Sequence, residues 1–158
     1  MKIADAAAEF LQQKRIAVTG VSQKPEGHGS NAVYTRLRDR GYTVFAVNPN
    51  AQTVEGDPAY PNLSAIPGGV DAVVIATSAQ YAPDTMREIV DLGIKYAWMH
   101  RSFGPGSVSA EAADVGHDGS VMVFEGGCPL MFGPASDGGH RMMCRILKLT
   151  GKVPREVR

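Results

Sequence analysis

Five short apolar runs, each separated from the next by a helical pattern, constrain this chain more than any other feature. They are Ile16–Thr19, Thr43–Val47, Ala72–Ala76, Tyr96–Met99 and Val121–Phe124. Apolar residues at helical spacing mark helices over Asn31–Arg40, Pro83–Leu92 and Ser109–Val115, with a final one over His140–Leu149. Gly41, Gly93 and Gly151 stand where three of these helices should stop. Strands alternating with helices of this length need right-handed crossovers, and those build a parallel sheet. The expected fold class is therefore α/β, a Rossmann-like three-layer sandwich with a mainly parallel five-stranded sheet. Ala72–Ala76 is wholly apolar and should be covered on both faces. The segment holding Gly56, Pro58, Pro61 and Pro67 reads as loose, with one short helical turn near Leu63–Ile66.

At 158 residues one core is expected, so residues 1–158 read as a single domain. An amphipathic helix leads it, with Ile3, Ala6, Ala7, Phe10 and Leu11 on one stripe, and a helical extension ends it. The formal charge is zero and no basic run stands out, which argues against a nucleic-acid partner. No window approaches the ~20 apolar residues of a membrane span. Asp5 and Glu9 interrupt the first apolar stretch, so it is not read as a secretory signal. Cys128 and Cys144 are too few for a disulfide framework; the reading is a cytoplasmic protein with reduced thiols.

In a sheet of this kind the ligand lies beyond the carboxyl ends of the strands, where the strand order reverses. Four such tips are rich in small, hydrogen-bonding or basic residues: Gly20–Pro25, Asn48–Asn50, Thr77–Ala79 and His100–Gly104. The first is a glycine loop running into a helix that starts at Ser30–Asn31, an arrangement suited to phosphate. It does not spell the dinucleotide fingerprint: Val21-Ser22 follow Gly20, and Gly27 and Gly29 come too late. Asn48-Pro49 also stands where an NAD site wants an acidic residue for the ribose hydroxyls. Lys24, His28, His100 and Arg101 offer positive charge to phosphates. Plainer readings stand beside these. Lys24 alone would be a solvated loop lysine, and Asn48-Pro49 a strand terminator. His28, His117 and His140 fit surface or cap positions, and Trp98 and Met99 fit the core. Cys128, His140 and Cys144 lack a fourth partner for a structural zinc, so no metal is assigned.

Gly20-Val21-Ser22 with Lys24-Pro25, Gly41–Pro49 and Tyr60–Thr77 resemble the CoA-binding-domain family. These are small proteins similar to the CoA-binding half of the succinyl-CoA synthetase alpha subunit. Lys95–Ser109, Gly126–Phe132 and Gly138–Pro154 resemble the later part of a subgroup, so the likeness runs from Lys14 to Pro154. Two departures stand out. Glu26-Gly27-His28-Gly29 replace an arginine or longer polar residue, and Gly127-Cys128-Pro129-Leu130 replace Arg-Cys-Pro-Lys. The resemblance implies non-covalent binding of coenzyme A or a short acyl-CoA. Gly20, Val21, Ser22, Lys24 and Pro25 would wrap the phosphates, Asn48 and Pro49 would shape the adenosine pocket, and Ala76, Thr77 and Ser78 would floor the cleft. His100, Arg101 and Ser102 would lie along the pantetheine. No residue matches the phosphorylated histidine of the synthetases, which favours a binding module over a catalyst. The ligand is thus the one partner named, and an assembly of identical chains is compatible with it. The alternatives are an NAD(P)-dependent oxidoreductase or an acyltransferase using Cys128, which lies after the fifth strand near the ligand edge.

Overall fold

The computed structural model describes residues 1–24, 26 and 28–158; Pro25, assigned above to the phosphate loop, lies outside them. Its sheet has seven strands, not five: β1 (Arg15–Thr19), β2 (Thr43–Val47), β3 (Thr53–Val54), β4 (Asp57–Tyr60), β5 (Ala72–Ile75), β6 (Tyr96–Met99) and β7 (Met122–Glu125), in the order β3-β4-β2-β1-β5-β6-β7. Every neighbouring pair is parallel except β3–β4. The two additional strands are a hairpin at the β2 edge, within the segment read as loose. Val54 pairs with Asp57, so Glu55-Gly56 form a two-residue turn, and both have positive φ, 50° and 79°. That is the hairpin geometry whose twist matches its strands. Only Ala59 and Tyr60 pair with β2; Pro58 pairs with Thr53 across the hairpin and lies beyond the β2 ladder, where its missing N–H is not called on.

Five α-helices cover the sheet: α1 (Ile3–Gln12), α2 (Gly29–Asp39), α3 (Ala82–Asp91), α4 (Ala110–Asp118) and α5 (Gly138–Leu149). Alternate strand residues face opposite layers, as the pleat requires. Ile16, Val18, Ala72 and Val74 face α1, α2 and α5, whereas Ala17, Val73 and Ile75 face α3 and α4. In the first layer Phe10 packs edge-on against Trp98 and Phe124, which stack on each other with centroids 4.1 Å apart. Leu130, Met131 and Phe132 are buried in the same layer, in contact with α5. The chain after α5 returns to the sheet edge. Ile3 donates to the Arg155 carbonyl and Val123 to that of Arg158, both at 3.0 Å, so this segment lies along β7. Among the described residues no helix is long and apolar enough to cross a membrane.

Candidate functional site

Connections leave β1 in opposite directions, to β2 on one side and β5 on the other, so the carboxyl ends of β1 and β5 flank the switch point. Gly20 ends β1 there with φ +76°, and a Cβ on it would lie 2.9 Å from the Ala76 carbonyl oxygen. The two strand tips meet backbone to backbone, which requires glycine. Thr19 Oγ1 accepts from the Ala76 N–H at 3.0 Å and locks the pair.

A groove in two contiguous halves, about 630 and 600 Å³, runs across this point, and both halves touch Gly20, Thr77 and Tyr81. The first half opens toward β2 and α3, past Asn48, Pro49, Asn50, Leu63, Asp84 and Glu88. The second opens toward β6 and the start of α2, past Gly29, Ser30, Ala76, Ser78, His100 and Ser102. Thr77 Oγ1, at the shared waist, is buried with no hydrogen-bond partner, an unusual state for a hydroxyl beside a ligand-sized groove. Ser107 ties the floor together: its hydroxyl donates to the Thr77 carbonyl and its N–H to that of His100.

The loop after β1 is held by α2. Asn31 Oδ1 accepts the Ser22 N–H and its Nδ2 donates to the Ser22 carbonyl, both at 2.8 Å, while Nδ2 also reaches Glu55 Oε1 at 2.9 Å. Ser30 Oγ donates to the Gly20 carbonyl at 2.9 Å. Lys24 is exposed, and its N–H donates to Ser22 Oγ. The Ser22 and Lys24 amides therefore shape the loop itself. Asn48 is a brace as well: Nδ2 donates to the Val21 carbonyl at 2.9 Å and Oδ1 accepts from Asn50 N–H at 2.8 Å. His28 adds no side-chain cap to α2, so the positive end of that helix faces the groove at Gly29 and Ser30.

His100 stacks close to Gly29, where an added Cβ would be 3.6 Å from Cε1. Burial, with His140 adding to it, pushes its imidazole down to about 4, so at neutral pH it carries no charge. Arg101 lines neither half. Its backbone bridges to Gly127, and its Nη2 reaches the Lys152 carbonyl at 3.4 Å. Cys128 is 3% exposed, and burial pushes its thiol up to about 12, an environment that suppresses a nucleophilic thiolate. Sequence reasoning did not single out Asn31, Tyr81, Asp84, Glu88 or Ser107. Asn31, in the first turn after a glycine loop, carried the one legible signal.

The profile of the CoA binding domain family matches residues 14–134. The chain belongs to that family. This CoA-binding domain is 37% identical over 75 residues to acetate–CoA ligase [ADP-forming] I of Archaeoglobus fulgidus, covering 48% of this chain and 11% of the ligase. It thus spans about a tenth of the length of that ligase. It is 31% identical over 105 residues to the uncharacterized protein YneT of Bacillus subtilis, covering 66% of this chain and 74% of YneT. Among solved structures, a hypothetical protein from Pyrococcus horikoshii superposes with a TM-score of 0.70 at 26% identity, covering 76% of this chain and 82% of the other.

Proposed function

We propose that this domain binds coenzyme A or a short acyl-CoA non-covalently and acts as a binding module. The observation that carries this reading is the two-part groove over the β1–β5 switch point, with the uncapped start of α2 beside its waist. A pyrophosphate fits the helix N-terminus, the adenosine the half beside Asn48 and Pro49, and the pantetheine the half beside His100 and Ser102. Thr77, Gly20, Ala76 and Ser78 form the floor; Val21, Ser22 and Asn48 hold its shape. Lys24 and Pro25 remain part of the proposed phosphate loop. The likeness to one region of acetate–CoA ligases agrees with this assignment. A ligand at a hundredfold its Kd adds about 2.7 kcal/mol, which for a chain of this size raises Tm by roughly 5–10 °C. Melting scans with CoA, acetyl-CoA, ADP, NAD and NADP should show that rise with CoA and acetyl-CoA. A shift with NAD and none with CoA would sink the proposal.

A further inference from the structure

The charges lining the groove are unevenly placed. The half beside Asn48 and Pro49 carries two carboxylate side chains among its described lining residues, Asp84 and Glu88, and no cationic one. Neither half is lined by a lysine or arginine among the described residues. Glu88 is fixed there: its Oε1 accepts the Leu63 N–H at 2.9 Å and its Oε2 the Ser64 hydroxyl at 3.3 Å. Asp84 pairs with Arg87 at 2.7 Å, but that guanidinium also reaches Glu111 on α4, so the group of three keeps a net negative charge. Arg101, the cation nearest the other half in sequence, is turned toward the Lys152 carbonyl.

Coenzyme A differs from its dephospho form by a ribose 3′-phosphate, a dianion near neutral pH. Such a group is stabilised by cations or helix N-termini and disfavoured by nearby carboxylates. A ribose with free hydroxyls can instead donate to a carboxylate. Resting on the CoA reading above, we propose that Glu88 and Asp84 make this groove select an adenosine diphosphate ligand whose ribose is not phosphorylated, so that dephospho-CoA binds more tightly than CoA. The specificity comes from repulsion of the wrong ligand as much as from attraction of the right one.

Calorimetry at low salt with CoA, dephospho-CoA, ADP, adenosine 3′,5′-diphosphate and NAD tests it. Dephospho-CoA should bind at least threefold more tightly than CoA, and ADP more tightly than adenosine 3′,5′-diphosphate. Both gaps should narrow in 0.3 M salt, where exposed charges are screened. Glu88→Gln, which keeps an oxygen for Leu63, should raise CoA affinity relative to dephospho-CoA. Asp84→Asn on the exposed face of α3 should act in the same direction without risk to the fold. CoA binding as tightly as dephospho-CoA, or more so, overturns this inference and leaves the CoA reading standing. Binding of NAD with neither CoA form bound overturns both.

Discussion

Asn31 shows how much of a binding loop can hang on one side chain. It is 3% exposed, and its single amide meets the Ser22 N–H, the Ser22 carbonyl and Glu55 at once. Truncating it leaves two half-buried backbone groups of the loop without that partner, each costing about 1–3 kcal/mol where water cannot replace the amide. Asn31→Ala should therefore lower stability by about 2–3 kcal/mol and weaken CoA binding at least tenfold. Asn31→Asp keeps the acceptor for Ser22 N–H but sets a carboxylate against the Ser22 carbonyl and Glu55, so it should bind almost as poorly. Glu55→Gln, which keeps an oxygen for Asn31, should bind like the parent. Denaturant melts with calorimetry on the three variants decide this; Asn31→Ala with parental affinity would mean the loop holds its own shape.

At the level of elements, one close fit lies where α4 meets α3 and β7. A Cβ on Gly116 would lie 2.5 Å from Val123 Cγ2 and 3.0 Å from Met86 Sδ, so the helix approaches the sheet through a missing side chain. Gly116→Ala should gain helix propensity yet destabilise the fold by a net of about 1–3 kcal/mol through overpacking. Met86→Ala is costly by itself because Met86 is fully buried, but in a double-mutant cycle Gly116→Ala should cost less on that background than on the parent. A stabilised Gly116→Ala single variant would show that α4 can shift outward freely. The five strands β2, β1, β5, β6 and β7 were legible because each is a short apolar run between helical patterns. The β3–β4 hairpin was not, because Asp57-Pro58 and the Glu55-Gly56 turn carry loop chemistry while pairing with β2 supplies the order. The same limit applies to the candidate site. Strand tips can be read from where apolar runs end, and they supply Gly20, Asn48, Thr77 and His100 to the groove. Asp84 and Glu88 reach it from α3 and Asn31 braces its loop from α2, and only the packing angle of a helix decides which of its polar residues face a strand tip. Arg101 shows the converse: its backbone pairing with Gly127 turns a basic residue at a strand tip away from the groove.

For the whole molecule, acid is the condition that bears on the groove and on the folded state together. Folding places His100 against Gly29 at the positive end of α2, where burial, His140 and the helix dipole all disfavour an imidazolium. Its pKa falls from an ordinary 6.5 to about 4. Between those values the unfolded chain binds a proton that the folded chain does not, so stability rises with pH there. The stabilisation is complete above the unfolded value and is lost as pH falls from about 6.5 toward 4. With partial solvent access to the ring, the loss amounts to about 2–3 kcal/mol, or roughly 5–10 °C in Tm. Asp137 acts in the same direction at more acid pH. It caps α5 by accepting the His140 N–H and pairs with Arg36, which holds its carboxyl near 2, so its contribution fades only below about 3.8. The two windows can be separated by substitution. His100→Gln should flatten the stability curve between pH 6.5 and 4.5 while leaving the steeper fall below pH 4. Thermal melts of parent and variant in matched buffers across that range read the difference directly. A parent curve already flat from pH 6.5 to 4.5 would mean that His100 titrates as freely in the folded chain as in the unfolded one.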